Sequence, residues 1–323
     1  MSINGRFWIG RKLGAGSFGE VFDGIDLVTG EPIAIKREPL GCSYPSLEEE
    51  AKLIKMLAGG SLIPLVLWFG VHGGHRCMVM NLLGPNLWEV LQRNGGKFSI
   101  KTVCNIAIRL ICRVEYMHNK HLVHRDLKPE NIMVGLSRGS IYVCDLGLAR
   151  IYKHADGKHK QDTHKKVGLC GTARYASLNA HAERAQTRRD DLESLGYMFV
   201  EFLLGRLPWG GLGGNGTDEK WARIYKCKQE TSLDTLCSAL PPQFQQFIQY
   251  CRNLGFKDRP DYAFCRGLFE TVLAERGMKV DREYDWLVKG SKARSFVVNS
   301  PRRVPGVAIA LDRKYVHPCA FLL

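Results

Sequence analysis

The hydrophobic pattern predicts an α+β fold: a five-stranded sheet with one helix in roughly the first 85 residues, then a mainly helical remainder. Two observations carry this. Up to residue 81 the apolar residues fall in strand-length runs bounded by glycine-rich turns; from residue 86 they recur at three- and four-residue spacing. Length and composition add a third, because 323 residues with 45% hydrophobic and 24% charged side chains suit a globular chain of two domains, or one unit of two lobes.

Residues 7–13 and 21–27 read as strands bracketing a glycine cluster, and 32–38, built on Ile33-Ala34-Ile35, follows the Thr29-Gly30 turn. The period then changes. Leu47, Ala51, Ile54 and Leu57 lie three or four apart, so 46–58 is an amphipathic helix stopped by Gly59-Gly60. Residues 65–71 and 76–81, joined by His72-Gly73-Gly74-His75, form a hairpin that completes the sheet. Val103, Ile106, Ala107, Leu110, Val114 and Met117 set a long helix over 100–118, and another covers 187–204, ending at Gly205. Further helices are expected over 218–230, 242–254 and 262–276, with short apolar segments at 132–134 and 141–144 and a polar loop at 152–166. Residues 291–323, with six Lys or Arg against one Asp, read as a basic tail.

Lys plus Arg number 46 against 32 Asp plus Glu, and the net +14 favours anionic partners: nucleic acid, a membrane surface, or acidic and phosphorylated proteins. Eleven cysteines, an odd number without a C-x-x-C pair, argue for reduced thiols in a cytosolic or nuclear protein rather than a disulfide framework or zinc site. The N-terminus lacks the apolar region of a signal peptide, and no apolar run reaches the about 18 residues a membrane span needs. A nucleic-acid reader module is also missing, so no specific nucleic acid is expected as partner.

Gly14-Ala15-Gly16-Ser17-Phe18-Gly19 lies between two strands, followed by Val21, and Lys36 closes Ala34-Ile35-Lys36 on the next strand. Alone, a glycine motif there is a permissive hairpin. With Lys36 it suggests backbone N–H groups closing over phosphates that the lysine also reaches. Lys36, flanked by Ile33 and Ile35, needs an acidic partner, and Glu50 on the following helix is the candidate. The strongest segment is His124-Arg125-Asp126-Leu127-Lys128-Pro129-Glu130-Asn131, followed by Asp145-Leu146-Gly147. Asp126 suits a base for an attacking hydroxyl, Lys128 a counter-charge for a transferred phosphoryl group, and Asn131 with Asp145 the few oxygen ligands that Mg²⁺ takes.

These motifs resemble those of the eukaryotic protein kinases from about residue 7 to 286. A narrower similarity follows. Gly171-Thr172-Ala173-Arg174-Tyr175-Ala176-Ser177-Leu178-Asn179 stands where most kinases have Ala-Pro-Glu, and segments 188–196, 203–209, 260–262, 284–286 and Leu82-Leu83-Gly84-Pro85 complete a series similar to the casein kinase 1 family. The resemblance implies a two-lobed kinase fold, with one lobe at 7–81, a hinge at 82–85, a second lobe at 86–290 and the tail beyond. It implies a monomeric Ser/Thr kinase using ATP and Mg²⁺, cytoplasmic or also nuclear. Adenine would lie against Asn81, Leu82 and Leu83, beneath Leu13, Val21 and Ala34 and above Met133, with Met80 as gatekeeper. Catalytic roles fall to Asp126, Lys128, Lys36 and Glu50, and the loop 14–19 covers the phosphates. An anion site selecting acidic or phosphorylated proteins would map to Arg174 and Lys220, and Asp191 would brace the catalytic loop.

Some positions depart from the family. Leu146 replaces the usual Phe, Asn81 a usually acidic hinge residue, and Val167 a further anion-binding lysine, with Lys165 and Lys166 nearby. His118, His121 and His124 invite a metal reading, but their spacing runs from a helix end into a loop, which favours structural roles. Cys170 is read as a packed residue, Cys319 is one position too early for a prenylation box, and Thr163, Ser295 and Ser300 are weak candidates for phosphorylation. A kinase-fold scaffold with weak or no phosphotransfer is the alternative function, which the retained Lys36, Asp126 and Asp145 disfavour.

Overall fold

Six antiparallel strands, not five, build the N-terminal sheet of the computed structural model, in the order β1-β2-β3-β4-β6-β5. They are β1 (Ser2–Ile3), β2 (Phe7–Gly16), β3 (Gly19–Asp26), β4 (Pro32–Pro39), β5 (Val66–His72) and β6 (His75–Asn81). The structure describes residues 2–16, 19–60, 63–137, 139–154, 156–162 and 165–288. The additional strand β1 pairs Ile3 with Phe7 through a turn in which Asn4 (φ 50°) and Gly5 (φ 65°) both take the left-handed conformation. Asn-Gly is a strong hairpin signal, here within a three-residue loop of Asn4, Gly5 and Arg6, but a strand of two residues shows no periodicity of its own. Ile3 is held by burial with Phe7, Ile33, Ile35, Cys77 and Val79, a small core on one face of the sheet.

Alternation along β4 then decides what faces inward. Ile33 and Ile35 enter that small core, which sends Ala34 and Lys36 to the opposite face, toward helix α1 (Leu47–Met56). The buried Glu38 carboxylate accepts the N–H groups of Ser46 and Leu47 at 2.7 and 3.1 Å, so β4 caps the helix that carries Glu50.

The remainder comprises α2 (Leu87–Arg93), α3 (Ile100–Asn119), β7 (Leu122–Val123), β8 (Ile132–Val134), β9 (Ile141–Val143), β10 (Arg150–Ile151), α4 (Leu178–His181), α5 (Arg188–Leu204), α6 (Thr217–Glu230), α7 (Leu233–Cys237), α8 (Pro242–Asn253) and α9 (Tyr262–Ala274). The longer helices lie within two residues of the expected ends. Helix α5 stops where Gly205 takes φ 75°, the left-handed cap that glycine adopts without strain. The hydrophobic pattern does not predict helices α2, α4 and α7. Each is short, so period is lost, yet each begins at a side-chain cap: Asn86, Ser177 and Ser232. Helix α5 is buried nearly all round, with Phe199 packed edge-on to Phe269 at 5.4 Å, and forms the centre of the main core together with α3, α8 and α9.

Candidate active site

The segment 124–131 leaves β7 and is fixed from below by Asp191, in the first turn of α5. One Asp191 oxygen accepts the backbone N–H of Arg125 at 2.8 Å; the other accepts the N–H of His124 at 2.8 Å and lies 2.9 Å from His118 Nε2. His118 Nδ1 faces the Tyr262 hydroxyl at 2.7 Å, so the imidazole donates through Nε2 and accepts through Nδ1. Burial lowers the His118 pKa despite the carboxylate, which keeps the ring neutral. His124 Nε2 pairs with the Cys144 carbonyl, and His121 is exposed, so the three histidines do not converge.

Held this way, Arg125 adopts φ 67°, a strained backbone that turns Asp126 into the site. Asp126 Oδ2 accepts Lys128 Nζ at 2.7 Å and Asn131 Nδ2 at 3.3 Å, whereas buried Oδ1 has no hydrogen-bond partner among the described residues. Lys128 also donates to Thr172 Oγ1 at 3.1 Å. Thr172 was missed as a site residue; the signal was its place directly after Gly171. At φ 94°, Gly171 sits so close to the loop that a Cβ would meet the Arg125 carbonyl oxygen at 2.5 Å. Lys228 fixes the following residues, donating from a buried position to the carbonyls of Ala173 and Ala176 at 3.0 and 2.6 Å.

Lys36 Nζ bonds Glu50 Oε2 at 2.7 Å and Asp145 Oδ1 at 3.5 Å, bringing β4, α1 and the Asp-Leu-Gly turn together. Burial opposes the ammonium, but the charges of Glu50 and Asp145 outweigh it and raise its pKa. Leu146, in the usual Phe position, is buried in the main core. Beside this cluster lies a cavity of about 620 Å³ lined by Leu13, Val21, Ala34, Lys36, Met80, Asn81, Leu82, Leu83 and Met133, as well as Asn131 and Asp145. Its size and largely apolar walls fit a nucleotide. The connection 82–85 is held by the Gly84 N–H on the Val134 carbonyl at 2.7 Å and the Val134 N–H on the Pro85 carbonyl at 2.9 Å. Asn81 turns its side-chain oxygen to the Leu65 N–H at 2.7 Å, a structural reason for an amide there.

Gly14, Ala15 and Gly16 pair with Val21, Glu20 and Gly19 as the end of the β2–β3 hairpin and are not among the cavity-lining residues; Ser17 and Phe18 lie outside the described residues. Arg174 and Lys220 do share a second cavity, of about 460 Å³, with Trp88, Glu130 and Leu212. Arg174 is not free there: its Nη1 bonds buried Glu201 at 3.1 Å, a partner the sequence did not suggest. Lys166 is likewise engaged, with Glu183 at 2.6 Å, and Val167 is exposed. Burial raises the Cys170 thiol pKa, which fits a packed residue. Thr163, Ser295, Ser300 and Cys319, with the tail, lie outside the described residues.

The donor set suits a shared metal. Among the described residues no three His, Cys, Asp or Glu side chains are grouped to hold an ion, whereas Asn131 and Asp145 offer oxygens on the cavity wall, as Mg²⁺ requires when phosphates complete its shell. No helix among the described residues is long and apolar enough to cross a membrane. A family model described as the protein kinase domain matches residues 7–268, well over half of the chain. With the paired Lys36 and Glu50, the braced Asp126 loop and the nucleotide-sized cavity in one place, that match establishes that the chain belongs to the protein kinase family.

Proposed function

We propose that this kinase is a serine/threonine kinase of the casein kinase 1 type, transferring the γ-phosphate of ATP to acidic or phospho-primed proteins. One observation carries the reading: Asp126 keeps a buried oxygen without a partner among the described residues while Lys128 and Asn131 orient the other. Such a carboxylate is placed to accept the proton of an attacking hydroxyl. Lys128, held between Asp126 and Thr172, counters charge on the group in transfer, and ties that step to the segment against which a substrate would lie. Lys36, oriented by Glu50, positions the α- and β-phosphates, and adenine occupies the cavity beside residues 81–83. The turn 14–19 covers the phosphates. Held by Asn131 and Asp145, Mg²⁺ would neutralise phosphate charge.

Residues 7–81 act as one lobe, 82–85 as the hinge and 86–290 as the other, with the basic tail at 291–323. Arg174 and Lys220, on one cavity wall next to Thr172, support selection of anionic substrates. The described cysteines are all free, which supports a reducing compartment, the cytosol or nucleus, where the chain would work as a monomer.

The test is incubation with Mg-ATP and peptides carrying phosphoserine or acidic residues upstream of a serine. Wild type is expected to transfer phosphate, and Asp126→Asn to lose about 10²–10⁴-fold in kcat. Absence of transfer by folded wild type would overturn the reading in favour of a scaffold.

A further inference from the structure

We propose that Glu201 sets how strongly this kinase discriminates phospho-primed from unprimed substrates, by competing with the substrate phosphate for Arg174. The inference rests on the assignment of Arg174 and Lys220 as the anion site.

Glu201 lies near the end of α5 with its side chain only 3% exposed, while the Arg174 side chain is 33% exposed. One carboxylate oxygen accepts Arg174 Nη1 at 3.1 Å, and the other accepts the Tyr175 hydroxyl, so the carboxylate is fixed. The guanidinium also lies over the Trp88 ring, 5.6 Å from its centroid. Arg174 is therefore clamped, with a buried anion on one side and an open cavity on the other. Exposed Glu130 lines the same cavity and adds a second negative charge. Lys220, also exposed there, makes no ion pair among the described residues.

A guanidinium has five N–H donors, so Arg174 can hold Glu201 and still offer others to a phosphate. What it cannot offer is its full charge. A phosphoserine of about −1.5 to −2 entering the cavity feels Arg174 and Lys220 set against Glu201 and Glu130. Burial raises the Glu201 pKa, opposed by the Tyr175 hydroxyl and Arg174; removal of its charge is thus compatible with its surroundings. An amide in its place would still accept from Arg174 through its oxygen, would donate through its nitrogen to the Tyr175 hydroxyl oxygen in a reversed bond, and would free the guanidinium's charge for the substrate.

The experiment compares kcat/KM for two peptides differing only in phosphoserine against serine upstream of the acceptor, using the full chain as wild type, Glu201→Gln, Arg174→Ala, Lys220→Ala and the double variant of Glu201→Gln with Arg174→Ala. Glu201→Gln is expected to raise the primed-to-unprimed ratio about tenfold, chiefly by lowering KM of the primed peptide, the double variant returning to the Arg174→Ala value. If Glu201→Gln leaves the ratio unchanged while Arg174→Ala lowers it, the competition is overturned and the anion site stands. If neither Arg174→Ala nor Lys220→Ala moves the ratio, the anion-site assignment itself fails, and the inference with it. Should Glu201→Gln not fold, Glu201→Asp withdraws the carboxylate by one methylene and is expected to shift the ratio the same way by a smaller factor; an unchanged or lower ratio overturns the inference.

Discussion

His118 and Asp191, both buried, meet at 2.9 Å, and the same carboxylate accepts the backbone N–H groups of His124 and Arg125. The end of α3 and the start of α5 are thereby joined under the loop that presents Asp126. Replacing Asp191 with Ala leaves two backbone N–H groups and the His118 Nε2–H without their acceptor. The expected cost is about 3–5 kcal/mol of stability, read from urea unfolding, with a loss in kcat larger than any rise in KM. Unchanged kcat in a folded Asp191→Ala protein would show that the loop holds its geometry without this brace.

Two buried histidines make stability depend on pH. Burial lowers the pKa of His118, and burial with the nearby charge of Lys228 lowers that of His181 to about 3. In the unfolded chain both protonate near pH 6.5, so on acidification the unfolded state binds protons first. The contribution is complete above about pH 6.5 and is lost as pH falls, for His181 at about 1.4 kcal/mol per pH unit down toward its lowered pKa of about 3. His181→Gln should flatten the slope of unfolding free energy between about pH 6.5 and 4 by one proton. Equal slopes in variant and wild type would contradict the assignment.

The Lys36–Glu50 pair separates stability from catalysis. Their side chains are 13% and 2% exposed, so removing one partner strands a buried charge. Lys36→Met alone is expected to destabilise by about 3 kcal/mol and to abolish transfer. Lys36→Met with Glu50→Leu should recover most of that stability yet stay inactive, because the proposed phosphate contact and the tie to Asp145 are both gone. Thermal unfolding and peptide kinetics on wild type and the two variants distinguish these outcomes.

Much of this site is legible in the chain because its chemistry is local. Asp126, Lys128 and Asn131 sit within one loop, and Ile33, Ile35 and Lys36 reveal by alternation which face the lysine takes. Strand β1 and helices α2, α4 and α7 escaped because two to seven residues cannot display a period, even where Asn4-Gly5 or a Ser cap marks the start.

From residue order alone came the α+β class, the longer helices with their stops, and the identity of the groups around the proposed phosphoryl transfer. Apart from Glu50 beside Lys36, and the Asp191 brace that the family resemblance implies, their partners and the contacts themselves came from folding. Thr172 meets Lys128, Asp191 holds residues 66 and 67 positions away, and Glu201 clamps Arg174 from a helix that reads as plain core. Contacts between distant segments depend on how α5 packs under the loop and beside the second cavity, and no spacing in the chain encodes that distance. The charge left available at Arg174 is consequently a property of the packed molecule, because it is set by the burial of a carboxylate 27 residues away.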